Sequence, residues 1–449
     1  MNRSVATIFE WGRYPYTVGP RNSFTNGTFS LTRTFLDTLE MIDPDQKYFI
    51  ITRDLIRTKQ QVGVIRIDGF SIQIFPKLFR DRYEEHKSII ARNLAIMLSY
   101  SIVPFSPVGM AGLDEEDLDL LEIFIHLYAV NLVSLLSHTQ SREYLTKREP
   151  LRYVQERILT REYWNPATLH IIPCQFHKFS QDTLINRTLK YCSTLMLRQT
   201  RNYKTASLIK QILMILEPVD YTPVTLHEVR HIQITRLNRR YAPFITFCEF
   251  YLSHTTIALQ ASSTEIFSLV VPMEKIFESF IAGVIASHPQ ILPKGITCKT
   301  QLYAGYLAED QRENGLFRLK PDIVLFQKKP VAIIDTKYKQ LSEDRTYDGV
   351  SQGDVYQMYA YGAKTGAEKI ILLYPDTGDT TYLNWQMEYD NGRKIDLLIR
   401  SVTLSIDLMK DWNQLIEQLT YYLKVLCPQT STKETESIYS IEYTALSMD

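Results

Sequence analysis

The stretch that most constrains this chain runs from Phe317 to Lys339, FRLKPDIVLFQKKPVAIIDTKYK. Two short apolar runs, Ile323 to Phe326 and Val331 to Ile334, flank the polar turn Gln327-Lys328-Lys329-Pro330. Val- and Ile-rich runs of this length, bounded by Pro and charge, predict paired buried strands. Asp322 opens the first strand, and Asp335 and Lys337 close the second. Side chains alternate along a strand, so Asp335 and Lys337 project to one side, and Asp322 on the neighbouring strand can reach it. Charges at the ends of apolar strands are costly unless they bind something. Two carboxylates suit a hard divalent cation, Mg²⁺ with Mn²⁺ able to substitute, because Mg²⁺ keeps waters and takes only one or two protein oxygens. Such a cation activates water and stabilises charge on a phosphate, and Lys337 can orient that water or neutralise the phosphoryl group. The competing reading is a solvated hairpin end carrying an Asp–Lys surface pair.

The residues downstream of Lys337 support the sharper reading. Beyond the polar loop Ser342 to Gly349, the segment Asp354 to Gly362 predicts a helix ending near Gly366, with Gln357 and Tyr361 one turn apart on one face. Lys369 to Tyr374 (KIILLY) predicts another buried strand. Pro321-Asp322 and then Asp335-Thr336-Lys337, in the order hairpin, helix, strand, resembles the PD-(D/E)xK nucleases. The Gln357/Tyr361 spacing resembles their RecB-like branch, where it helps hold DNA near the metals. Upstream, Met273 to Phe280 predicts a helix carrying Glu278. The resemblance implies that Glu278 completes the metal shell; Glu274 is the alternative, and a solvated glutamate at either position remains open.

A chain of 449 residues has material for two or three domains. Fifty Lys and Arg balance fifty Asp and Glu, so a nucleic-acid surface must come from local asymmetry. Residues 142–240 supply one. Arg142, Lys147, Arg148, Arg152, Arg157 and Arg161 are interleaved with Tyr144, Tyr153, Tyr163 and Trp164. No acid falls between Asp182 and Glu217, whereas Arg187, Lys190, Arg198, Arg201, Lys204 and Lys210 do. Arg230, Arg236, Arg239 and Arg240 come next. Basic residues with aromatics and without acids suit a sequence-tolerant grip on a phosphate backbone; the bland alternative is a set of solvated helix faces.

The remaining segments are less specific. Tyr48 to Thr52, Val62 to Ile67 and Ser71 to Phe75 predict strands, with Asp68-Gly69 as a hairpin turn, so residues up to about Phe79 predict β structure. From Arg82 to Leu136 the pattern is helical. Asp114-Glu115-Glu116-Asp117 reads as a charged helix start. Leu120 to Leu136, interrupted by Glu122, His126 and Asn131, reads as a largely buried helix and not a membrane span. Tyr382 to Met387 and Lys394 to Ile406 predict further strands, and Leu408 to Leu426 a closing helix. The N-terminus lacks the apolar run of a signal peptide. Cys174, Cys192, Cys248, Cys298 and Cys427 are scattered, with no C-x-x-C pair, which points to a reducing cytoplasm and no structural zinc.

Taken in order, these pieces resemble the McrC family, the nuclease subunit of McrBC-type modification-dependent restriction systems. Phe9-Glu10-Trp11-Gly12 and Ile74-Phe75-Pro76-Lys77-Leu78 resemble its N-terminal β domain, ending in a Pro-Lys motif. Asp182, Asn186, Arg187 and Lys190 match its D-x-x-x-N-R-x-x-K segment, and Ile276-Phe277-Glu278 its L-F-E helix. The chain past Tyr389 has no match to the family. The resemblance implies a McrB-like hexameric AAA+ partner hydrolysing GTP (or ATP), docked by the N-terminal part of this chain and stimulated by it. No G-x-x-x-x-G-K-[ST] pattern occurs, so the chain is not itself the motor.

The expected fold is α/β and multidomain: an N-terminal β-rich domain over residues 1–80, a mainly helical, basic middle region over 81–260, and an αβββαβ nuclease core with a C-terminal extension over 261–449. The leading expectation is a Mg²⁺-dependent DNA endonuclease subunit in which Asp322 and Asp335, with Glu278, bind metal, Lys337 assists the attacking water, and Gln357 and Tyr361 position the strand. Its substrate is double-stranded, modified DNA, no membrane is involved, and two strand breaks imply dimerisation at cleavage. The alternatives are a non-catalytic adaptor that activates an AAA+ nucleotidase, and a stand-alone repair nuclease that cuts without a motor.

Overall fold

The computed structural model describes residues 5–101, 105, 120–139, 141–160, 170–258, 264–341, 346–376, 382–389 and 392–427. The acidic run Asp114 to Asp117, Arg161, Tyr163, Trp164 and the tail 428–449 lie outside the described residues. Two compact units emerge, and they do not follow three consecutive segments. One comprises Met1–Ala6, Val64–Gln73 and Ile102–Leu269; the other comprises Thr7–Gly63, Ile74–Ser101 and Val270–Asp449. A five-stranded sheet has the spatial order Val5–Phe9, Phe70–Phe75, Gln61–Ile67, Thr264–Pro272, Thr255–Ala258. Asp68 (φ 47°) and Gly69 (φ 78°) make its tight turn, the paired positive φ values that an Asp-Gly hairpin supplies. Thr264–Pro272 belongs to this sheet, so the expected start of the C-terminal core at 261 is too early by one strand.

In the first unit, the apolar helix Leu120–His138 is long and apolar enough to cross a membrane, and 67% of its apolar window is buried inside the protein. Its buried Glu122 and His126 are both hydrogen-bonded. The Glu122 carboxylate accepts from Thr200 Oγ1 and the Arg201 backbone N–H, both at 2.7 Å, and His126 Nδ1 meets Thr205 Oγ1 at 2.9 Å. Helices Leu184–Gln199, Tyr203–Ile215 and Ala242–His254 accompany it. The middle region is not only helical, however. Glu143–Leu151, Arg157–Ile158 and Ile172–Ser180 form a three-stranded antiparallel sheet. Its strands place charge and aromatics on both faces, with Tyr144 and Phe179 exposed, so they lack the one-sided alternation that announces a strand.

The second unit holds two further sheets. The N-terminal one has five short strands in the order Ser23–Thr25, Thr28–Leu31, Arg13–Val18, Leu55–Thr58, Phe49–Ile51. The helix Arg33–Ile42, capped by Thr32, interrupts the expected all-β start. The C-terminal sheet positions the candidate site. It is built from α1 (Met273–Ser287), β1 (Thr297–Thr300), β2 (Ile323–Phe326), β3 (Pro330–Thr336), α2 (Gln352–Thr365), β4 (Lys369–Asp376), β5 (Tyr382–Tyr389), β6 (Arg393–Thr403) and α3 (Trp412–Leu426). The strand order is β1-β2-β3-β4-β6-β5. β1, β2 and β3 are antiparallel neighbours, β3-β4 and β4-β6 are parallel, and β5 returns antiparallel to β6. A separate hairpin, Gly305–Glu309 with Gly315–Leu319, is inserted between β1 and β2. α2 ends where Gly366 adopts φ 74°, the left-handed cap that its sequence predicts. Val324, Ile333, Met358, Tyr361, Ile370, Leu372 and Tyr374 form the core between α2 and the sheet. In the same unit, Asn93 on the helix Tyr83–Ser101 donates to the carbonyls of Leu404 and Ile406 at 3.1 and 2.6 Å and accepts from the Leu408 N–H.

Candidate functional site

The hairpin β2–β3 pairs Ile323 with Ile334, which sets Asp322 beside the end of β3. Asp322 Oδ2 accepts from the backbone N–H and the hydroxyl of Thr336, both at 2.8 Å, so the carboxylate is fixed by the residue between Asp335 and Lys337. Asp335 pairs with Leu372 across the parallel β3–β4 ladder and is 1% exposed. Its Oδ2 lies 2.5 Å from Lys337 Nζ, in keeping with their shared side of the strand. This buried oxygen has the Lys337 ammonium as its charged neighbour. The Lys337 N–H donates to the Leu373 carbonyl at 2.9 Å, which extends the ladder one residue past β3 and fixes the lysine.

α1 buries Ile276, Phe277, Phe280, Ile281, Val284 and Ile285, the stripe that three- and four-residue spacing creates. Glu278 sits half-buried at its edge. Burial, then the charge of Asp322, a hydrogen bond with it and the charge of Asp335 push the Glu278 carboxyl up to about 7. Asp335 is likewise raised to about 7, first by burial and then by Asp322, against the opposing pull of Lys337. Burial by itself would lower the Lys337 ammonium; Asp335, Asp322 and Asp354 outweigh it, and the lysine is held above its usual range. Glu278, Asp322, Asp335 and Lys337 therefore form one electrostatic group. Glu274, the other glutamate of α1, is exposed and lines a cavity beside Lys337.

Gln357 and Tyr361 lie on α2 as their spacing predicts, and Gln357 Nε2 donates to Tyr361 Oη at 2.9 Å. The Tyr361 phenol is raised, first by burial and then by Asp335 and Asp322, which ties it to the same group. Among the described residues, no cluster of three or more His, Cys, Asp or Glu side chains stands assembled as a cation cage. The donor set nevertheless fits Mg²⁺, which needs only one or two carboxylates. Asp335 Oδ2 is buried, and a cation would relieve the crowding that pushes the Glu278 and Asp335 carboxyls up.

Several neighbours escaped the sequence reading. Asp354, at the start of α2, accepts from Lys339 Nζ at 2.7 and 3.1 Å and contributes to the field at Asp335. Glu10 is fully buried, and its Oε1 accepts from Tyr338 Oη at 2.7 Å and the Lys77 N–H at 3.0 Å. Phe9 to Gly12 and the Pro-Lys motif were expected in an N-terminal domain of their own; Glu10 and Lys77 instead join the residue next to Lys337. A bond spanning 328 positions leaves no local trace in a sequence. A lone Glu before a Trp-Gly turn carries no spacing that points to it.

The D-x-x-x-N-R-x-x-K segment, read as part of a DNA-facing surface, is largely engaged in holding its own helix. The Arg187 guanidinium grips the Asp182 carboxylate. Asn186 Nδ2 donates to the carbonyls of Ser141 and Gln181 at 2.9 and 2.7 Å, and Lys190 Nζ to those of Glu217 and Val219 at 3.2 and 2.5 Å. Arg201 Nη2 donates to the Gly69 carbonyl at 2.8 Å, and Arg230 pairs with Glu249 at 2.9 Å.

Comparison with known proteins gives the following. No curated protein matches the chain. Among solved structures it is similar to a chain of the refined half-complex from a tetradecameric assembly of Thermococcus gammatolerans McrB AAA+ hexamers with bound McrC. That match has a TM-score of 0.63 at 18% identity and covers 92% of this chain and 100% of that one. A second, to the cryo-EM structure of the T. gammatolerans McrBC complex, has a TM-score of 0.47 at 18% identity and covers 63% and 87%. The family model described as McrBC 5-methylcytosine restriction system component matches residues 56–375, well over half of the sequence. The chain belongs to the McrBC family of 5-methylcytosine restriction system components.

Proposed function

We propose that this chain is the nuclease subunit of a McrBC-like restriction complex, a Mg²⁺-dependent DNA endonuclease that acts when a McrB-like AAA+ GTPase engages it and that stimulates that partner's hydrolysis. The observation that carries the reading is the gathering of Glu278, Asp322, Asp335 and Lys337 at the end of the β2–β3 hairpin. Three carboxyls and an ammonium sharing one field suit cation-assisted phosphodiester hydrolysis and have no evident value to a scaffold. Asp322 and Asp335 would hold Mg²⁺, with Glu278 completing the set. When bound, the cation supplies Lewis acidity at the phosphate and lowers the pKa of a water. Lys337 keeps its proton because its carboxylate neighbours outweigh its burial, and it offsets charge developing on the phosphate. Thr336 holds Asp322 in place, and Gln357 and Tyr361, bonded to each other, position the strand. The partner reading is supported by family membership and by the McrB hexamers present with the McrC of the archaeal assembly.

The test is cleavage of methylated and unmethylated plasmid by this chain with the AAA+ protein encoded beside it, in Mg²⁺ with GTP or ATP. Wild type should cut methylated DNA only with partner and nucleotide. Lys337→Ala should lose about 100-fold or more in rate, the usual scale for removing one preorganised charge from such a site, while stimulation of hydrolysis persists. A second reading, a non-catalytic adaptor, is favoured by the close Lys337–Asp335 pair and by the lack of an assembled three-ligand cluster among the described residues. Stimulated hydrolysis without cleavage by wild type would move the assignment there.

A further inference from the structure

A cavity of about 260 Å³ opens beside Lys337, lined by Trp11, Gln60, Lys77, Glu274, Lys337, Tyr338 and Lys339. All seven residues belong to the same compact unit. The lining combines three lysines, one glutamate, one glutamine and two aromatic residues, Trp11 and Tyr338. Trp11 is 55% exposed, although an indole normally buries most of its surface. Its backbone has φ 57°, in the left-handed region that bulky residues rarely occupy and that marks functional sites when neighbouring structure enforces it.

Here the enforcement is visible bond by bond. The Glu10 N–H donates to the Phe75 carbonyl at 2.9 Å, and the Trp11 N–H to that of Lys59 at 3.3 Å. The Gly12 N–H donates to Thr58 Oγ1 at 2.7 Å, and the Thr58 N–H returns to the Gly12 carbonyl at 3.1 Å. A Cβ at Gly12 would lie 2.4 Å from the Tyr14 ring, so the turn must carry glycine there. Beneath it, buried Glu10 binds Tyr338 and the Lys77 backbone and so fixes two cavity walls relative to the turn. The strained residue thus presents an exposed indole from a braced turn, lining a cavity with Lys77 and with Lys337 and Lys339, whose ammonium groups pair with Asp335 and Asp354.

We propose that Trp11 is a stacking platform for an unpaired base of the DNA strand entering the candidate site, with Lys77 beside the adjoining phosphate. This rests on the DNA-cleaving reading and extends it to a base-binding subsite. An aromatic face accepts any base without regard to sequence, and lysines beside it track the backbone. The base held on Trp11 comes from a strand peeled locally from its complement next to the bond to be cut.

The measurement is binding by the full-length chain in EDTA, where no cleavage occurs. The probes are a fluorescently labelled oligothymidylate, the same length with an abasic site at each position in turn, and a blunt duplex. Trp11→Ala should weaken oligothymidylate binding roughly 10- to 100-fold, the range of one base stacked on an aromatic ring, and leave duplex binding unchanged. Trp11→Phe should retain most of the affinity, which separates a lost ring from a misfolded turn. For wild type, one abasic position should cost the same factor, and Trp11→Ala should be insensitive to it. Equal oligothymidylate binding by wild type and Trp11→Ala would overturn the proposal, as would thymidine monophosphate competing as well as the oligomer. An Asp335→Asn chain that still cut DNA would sink the nuclease assignment without touching this result, because the binding is read without metal.

Discussion

Glu278 and Asp335 are carboxyls that burial and then the charge of Asp322 push up to about 7, against ordinary values of 4.5 and 3.8. Their folded-state values are raised, so the folded chain binds these protons more tightly than the unfolded chain does. The associated stability is fully present below about 4 and is lost as pH rises through about 7. Glu278→Gln mimics the protonated acid. In EDTA it should match wild type at pH 5 and exceed it at pH 8 by about 1–2 kcal/mol, a figure reduced for the partial exposure of Glu278. Saturating Mg²⁺ should reverse the order at pH 8, because the cation takes the ionised carboxylate that wild type alone offers. Thermal melting across that range, with and without Mg²⁺, reads both effects. Parallel curves for the two chains would mean that Glu278 does not share the field of Asp322 and Asp335.

The helix Leu184–Gln199 shows how a basic segment can be structural. Arg187 is tied to Asp182, which also accepts from the Asp220 N–H at 3.1 Å, and Lys190 ties the far side to Glu217 and Val219. Arg187→Ala should therefore lower stability by about 1–2 kcal/mol, leaving a half-buried carboxylate without its main partner. The salt dependence of DNA binding should be unchanged. A salt slope smaller by about one, with stability intact, would instead make Arg187 a phosphate contact. The same contrast explains what was legible in the sequence. β2, β4 and α2 were readable to within a few residues, because an apolar run, the Lys-Lys-Pro turn after β2 and a glycine cap each act locally. Asp322, Asp335 and Lys337 were readable because a two-residue alternation fixes their side of the strand. The sheet formed by Glu143–Leu151 and Ile172–Ser180 was not, since residues exposed on both faces give no period. Nor were Glu10 and Lys77, whose roles come from tertiary bonds to Tyr338 and between themselves.

Charge balance over the whole chain, fifty basic against fifty acidic side chains, gives it no long-range pull on DNA. With Arg187, Lys190 and Arg230 engaged internally, the basic surface that remains is local, which suits a subunit that relies on a partner to deliver its substrate. The same economy applies to the chemistry. If the proposed Asp322/Asp335/Lys337 set attacks one phosphodiester at a time, breaking both strands together requires two copies of the chain facing the duplex, most simply about a two-fold axis. Mixing wild type with Lys337→Ala at constant total protein, in the presence of the AAA+ partner, measures this directly. Paired copies predict that linear product falls as the square of the wild-type fraction while nicked circles accumulate, because a mixed pair cuts only one strand. Linear product falling in simple proportion to wild type, with no excess of nicks, would mean that one copy cuts both strands in turn, and the pairing would have to be given up.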